Sequence, residues 1–240
     1  MAVAYVSNIS GKTTPSASSI TLANVVGSGG NIVVAMVSWR DNSAAIATSG
    51  ATYGGNAMTQ LGTDYDGAGA NSGHAVFYYI DPSGTADVVI SFTGANPPYI
   101  QATAAVFSGV NTSAPFGTVV ENNATDSSAP YETTTSAASS ESGGLVVDLL
   151  TIRSDITGLT IGADQTQISA QDQSGTMFHR TSYEAGAASV TMSWSWGLTG
   201  QHYRHTVIPI APAAAGDPEG SLIQGKLLRG GLLLGGVLTR

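Results

Sequence analysis

An all-β, antiparallel fold is predicted by three observations. Apolar residues recur with a period of two, turn-forming clusters separate the apolar runs, and no amphipathic helix of three turns is visible. The first run, residues 31–39 (NIVVAMVSW), follows Gly27-Ser28-Gly29-Gly30, whose glycines suit a tight turn into a strand. Residues 74–80 (HAVFYYI) stop at Asp81-Pro82-Ser83-Gly84, a turn by composition. Residues 86–93 (ADVVISFT) alternate and stop at the Gly and Pro of residues 94–98. Residues 101–108 complete the first set. A second set comprises residues 145–152, 177–183, 189–196 and 202–210, opened by the turn at 141–144. Valine, isoleucine and aromatics dominate these runs, as half-buried pleated surfaces require. Short β-rich runs between turns fit an antiparallel β-sandwich or jelly roll over residues 1–210.

Composition narrows the function classes. The 240 residues fit one large β domain or two small ones. Hydrophobic residues make up 42%, enough for a core, so disorder is not expected. Charged residues are only 10%, which leaves Ser, Thr, Asn, Gln and Gly to cover the surface. The net charge of −8 disfavours nucleic acid as a partner, because few cations are present to displace phosphate counterions. The absence of cysteine removes disulfides, thiolate metal sites and cysteine nucleophiles. Met1-Ala-Val-Ala-Tyr-Val has neither the cationic nor the long apolar region of a signal peptide, so synthesis in a cytoplasm without export is expected. No run reaches the ~20 apolar residues of a membrane span, and no membrane partner is expected.

The body also echoes itself. Gly29-Gly30-Asn31-Ile32-Val33-Val34 is matched by Gly143-Gly144-Leu145-Val146-Val147, and residues 86–92 (ADVVISF) by residues 188–194 (ASVTMSW). Two similar half-units suit a two-sheet jelly roll, although glycine pairs before apolar strands also recur by chance in Gly-rich β proteins.

Residues 211–219 (APAAAGDPE) read as a linker. Beyond it, glycine falls at 220, 225, 230 and 235, a period of five, with aliphatic pairs at one phase: Leu222 and Ile223, Leu227 and Leu228, Leu232 and Leu233, Val237 and Leu238. This tail resembles pentapeptide-repeat proteins, and the resemblance implies a short β-solenoid centred on Ile223, Leu228, Leu233 and Leu238. The preceding position, small or polar in that family, is here Leu or Val, which makes a second face apolar. Four repeats form about one coil, too few to bury their own axis. Eight aliphatics left wet forgo on the order of 10 kcal/mol of burial. The eight therefore form the expected anchor on a protein partner, either another copy of the chain or a different protein. The tail carries Lys226, Arg229 and Arg240 with no acid, leaving five cations and all sixteen acids for residues 1–219, a net −11.

Candidate chemistry is sparse, and no cofactor is expected. His202 and His205 lie three apart, which on a strand points them to opposite faces, so metal ligation is not expected there. His74 and His179 stand near the starts of equivalent strands. Asp64, Asp66 and Asn71, with a glycine for a tight turn, form a weak calcium candidate that lacks the bidentate Glu of an EF-hand loop; a solvated hairpin loop fits the same residues. Asp148 interrupts an apolar run and is expected to be buried against a donor. No Gly-x-Ser-x-Gly elbow occurs, and no catalytic residue is assigned. Trp194 and Trp196 share one strand face about 7 Å apart, as a sugar-stacking platform would. They equally suit packing between sheets, since Ser193 and Ser195 take the other face.

The body looks like the jelly-roll or β-sandwich domains of phage virion proteins and bacterial surface proteins. Its Gly-Gly strand starts carry the resemblance, with residues 52–59 (TYGGNAMT) and 108–117 (SGVNTSAPFG). The resemblance implies a non-enzymatic structural component of a phage particle, either capsid decoration or tail/fibre-associated, located in the virion. It would be a homo-oligomer, a trimer by the class of assembly, held through the apolar tail. The alternatives are a carbohydrate-binding or adhesin module that meets a surface glycan, and a polysaccharide-active enzyme. The enzyme would need two facing carboxylates, and the sequence shows no such pair.

Overall fold

The computed structural model describes residues 1–13, 16–40, 46–62, 65–66, 72–124, 133–153, 156–173, 176–197 and 202–214. These residues form strands and connections, with no helix among them. The first ten strands are β1 (Ala4–Thr13), β2 (Ser19–Val26), β3 (Ile32–Arg40), β4 (Ala47–Tyr53), β5 (Asn56–Ala57), β6 (Thr59–Gln60), β7 (Tyr65–Asp66), β8 (Ser72–Ile80), β9 (Thr85–Thr93) and β10 (Tyr99–Ser108). The remaining eight are β11 (Val120–Ala124), β12 (Thr133–Ala138), β13 (Leu145–Arg153), β14 (Thr160–Ile161), β15 (Thr166–Gln173), β16 (Met177–Ala185), β17 (Val190–Ser195) and β18 (Tyr203–Ile210).

All pairings between these strands are antiparallel and assemble four sheets. One runs β1-β10-β3-β8-β6, with β7 also on β8, and its companion runs β2-β9-β4-β5. The other two run β11-β18-β13-β16-β15 and β12-β17-β14. The second pair repeats the order of the first: β11, β12, β13, β14, β16, β17 and β18 take the places of β1, β2, β3, β4, β8, β9 and β10. The echoed segments fall on equivalent strands, the Gly-Gly pairs before β3 and β13 and the alternating runs on β9 and β17.

The cores stack these sheets as layers. Val33, Ala35, Val37 and Trp39 of β3 join Leu22, Ile90 and Tyr53 of the β2-β9-β4-β5 sheet. Ile32, Val34 and Met36, on the opposite face of β3, meet Val147 and Leu149 of β13 and Ile208 of β18. Leu150 and Ile152 of β13 then pack on Trp194 of β17, and Val146 on Met192. β3 and β13 are thus covered on both faces, which is why their sequences are near-continuous apolar runs rather than alternations.

The body has two distinct ends. At one, Met1 N donates to Ala213 O (2.9 Å), Val3 N to Gly143 O (2.7 Å) and Ala213 N to Gly109 O (2.8 Å). Val110 bridges Pro212 there as well. Residues 211–214, read from the sequence as the start of a linker, are therefore fastened to the body by backbone hydrogen bonds. The rest of that linker, 215–219, lies outside the described residues, as does the pentad tail. The other end gathers the finish of β1, β3 and β13 and the start of β8, β10, β16 and β18, in registers such as Thr13↔Ile100, Arg40↔Ser72 and Arg153↔Met177. Arg204 Nε to Ser72 O (3.1 Å) and Lys12 Nζ to Asp172 O (2.8 Å) lock the two halves together at this end.

Candidate functional site: two buried histidine networks and the tail exit

Asp148 lies on the face of β13 turned to the β12-β17-β14 sheet and is fully buried. Its Oδ1 accepts from Ser182 N (2.8 Å) and Ser182 Oγ (2.6 Å), and its Oδ2 from Trp194 Nε1 (2.6 Å). His205 Nε2 lies 3.0 Å from Oδ2, and His205 Nδ1 lies 3.2 Å from both Thr134 Oγ1 and Ser136 Oγ. With a proton on Nε2, His205 donates to the carboxylate, and Nδ1 faces the two hydroxyls. Hydroxyl, imidazole and carboxylate stand in the order of a hydrolase triad. Accessibility decides against catalysis: Thr134 is 2% exposed, Ser136 4%, and the imidazole and carboxylate not at all. No substrate reaches these atoms while the sheets are closed. The cluster instead pins β12, β13, β16, β17 and β18 together across the layer and divides the core in two, with Leu150, Trp194 and Tyr203 on one side and Val146, Met192 and Val207 on the other. In the first half the same register positions hold Ala35 and Ala102, and that core is undivided.

A second network occupies the seam between the two inner sheets. His179 Nδ1 lies 2.8 Å from Ser38 Oγ, and His179 Nε2 lies 3.0 Å from Thr103 Oγ1. His74 Nε2 lies 2.6 Å from Thr206 Oγ1, with Thr151 Oγ1 at 3.5 Å from Nδ1. Ser38 and Thr151 close the middle at 2.5 Å. The registers Ser38↔His74 and Thr151↔His179 make the two histidines equivalent, and likewise Thr103 and Thr206. Each half therefore offers its histidine to the other half's threonine, the reciprocal contact of an isologous interface. The equivalence breaks one step further out. Thr206 donates to Glu121 (2.8 Å), whereas Thr103 meets Ser10 (3.1 Å), which continues to Ser169 (2.8 Å). Burial holds both histidines below the ordinary imidazole range. His179, with Arg180 and His74 as further cationic influences, is pushed down to about 3. His74 is also lowered, against the partial opposition of Glu121. Both are neutral at pH 7.

The sequence candidates fare differently. Trp194 and Trp196 are 2% and 4% exposed, with Trp196 edge-on to Tyr203 at 5.6 Å. The stacking platform is corrected accordingly: glycan stacking needs open indole faces, and these are core faces of the second half. Asp148 meets a backbone donor, as its place in an apolar run suggested. Asp64 and Asn71 lie outside the described residues. Asp66 is placed by its backbone on β7, opposite Gly73. Among the described residues no group of three His, Asp or Glu is arranged to hold a metal. The anchor residues Leu222, Ile223, Leu227, Leu228, Leu232, Leu233, Val237 and Leu238 lie outside the described residues. The body surface that they leave from does not. Two clefts of about 360 Å³ each flank Glu141 there, one walled by Phe116 and Pro209, the other by Met1 and Ala214. Sequence reasoning missed the seam. Its only signals were two histidines at matching strand positions and hydroxyl residues closing apolar runs. Neither a family model, nor a curated protein, nor a solved structure matches the chain.

Proposed function

We propose that the chain is a non-enzymatic structural component of a phage particle, a capsid decoration or tail/fibre-associated protein, made of two jelly rolls and anchored by residues 220–240. The strand orders support the jelly-roll reading: β1-β10-β3-β8 and β2-β9-β4-β5 interleave as two Greek keys do, and the second half follows suit. The polarity of the body carries the assembly reading. The chain leaves toward its aliphatic, cationic tail from one end, at Ala214, while β1, β3 and β13 finish and β8, β10, β16 and β18 start at the other. A partner that covers the tail would hold the body with that other end facing outward. The triad-like network at Asp148 does not favour an enzyme, because its reactive atoms are sealed.

Deleting residues 215–240 tests the reading. The truncated body is expected to stay folded, with an unchanged β circular dichroism spectrum, and to lose oligomer mass or particle attachment. A truncated chain with the native mass and attachment of the full chain overturns it.

A further inference from the structure

We propose that the seam between the two inner sheets is an acid-sensitive lock, which holds the halves together while His74 and His179 are neutral and parts when they take up protons. The proposal stands on the seam's geometry and is independent of the assembly reading. Both imidazoles are fully buried, and each bridges the halves through hydroxyls: Ser38 and Thr103 for His179, Thr151 and Thr206 for His74. A protonated imidazole has no acceptor nitrogen, so the hydroxyls must turn, and a charge enters a closed layer, offset in part by Glu121 in the case of His74.

The surrounding charges oppose that charge. By strand alternation and register, Lys12 of β1, Arg40 of β3, Arg153 of β13 and Arg204 of β18 share the seam faces with the histidines. Glu121 of β11 is the acid on those faces among the described residues, 3.6 Å from His74 Nε2. Tyr5, Tyr78, Tyr99 and Tyr183 also belong to these faces, and Tyr65 of β7 stands opposite His74 in register. On the reverse faces lie Asp148, His205 and Glu184, together with Arg180 and Asp172, which pair with each other. His179 has Ser10 where His74 has Glu121, so His179 is the more acid-labile of the two.

The sign follows from linkage. With the seam closed, both pKa values sit below the ordinary imidazole value near 6.5, so the parted state binds more protons as pH falls beneath about 6.5. Each histidine then favours the parted state by up to about tenfold per pH unit, for His179 down to about pH 3. Parting uncovers Ile32, Val34, Met36, Val147, Leu149 and Ile208.

The test is apolar-dye binding by the full chain, scanned from about pH 8 to about pH 4 alongside far-ultraviolet circular dichroism. Dye binding is expected to rise before the β signal is lost. H179Q, which keeps hydrogen-bonding atoms and does not titrate, should move that rise to lower pH, and H74Q should move it less. S10E, which gives His179 the carboxylate that His74 already has, should act in the same direction as H179Q and serves if H179Q folds poorly. A rise at the same pH in the wild type, H179Q and S10E overturns the proposal, as does dye binding that appears only together with loss of the β signal.

Discussion

Asp148 stands between Val147 and Leu149 in a largely aliphatic strand, where a carboxylate is tolerated only because donors surround it. Truncating it leaves the Trp194 indole N–H and the Ser182 amide N–H without their acceptor inside a closed layer. D148A should cost about 3–5 kcal/mol in urea unfolding, as breaking a buried polar pair does. D148N, which keeps the shape but weakens acceptance, should cost about 1–3 kcal/mol. The double variant D148A/H205A should cost less than the sum of its singles, because each single strands the other's partner. The sequence announced this residue by its place in an apolar run. It gave no sign that His205, Trp194 and Ser182 would be its partners, since they lie 34 to 57 residues along the chain, on three other strands.

At the scale of elements, legibility followed burial. The four central strands β3, β10, β13 and β18 were readable because apolar residues dominate their sequences. The edge strands were not: β1 (AYVSNISGKT), β12 (TTTSAA) and β15 (TQISAQDQ) are Ser-, Thr- and Gln-rich because part of each faces water. β2 escaped notice for another reason, its register shift between Leu22 and Val25 around Asn24 at φ 60°, which breaks the alternation. Within β8, Gly73 lies directly across from Trp39, and a methyl group there would land inside the indole. G73A should therefore destabilise by about 1–3 kcal/mol and alter the near-ultraviolet circular dichroism of Trp39, even though the backbone at Gly73 is ordinary strand. An unchanged spectrum and melting temperature would mean that the indole packs elsewhere.

For the whole molecule, the order of layers sets where stability is concentrated. β3 and β13 are buried on both faces and bonded on both edges, so their amides should exchange slowest in native-state hydrogen exchange, and those of β1, β12 and β15 much faster. Uniform exchange across these strands would contradict the layering. The sequence by itself determined the all-β class, the central strands, the echo between halves and the segregation of an aliphatic, cationic tail from an acidic body, because periodicity, turn chemistry and charge are local properties. Only the tertiary structure decided that equivalent sheets of the two halves meet face to face, that His74 and His179 exchange partners across that seam, and that Trp194 points inward to a buried carboxylate. Those outcomes depend on which strand faces cover one another, and such long-range pairings leave no spacing in the chain from which to read them.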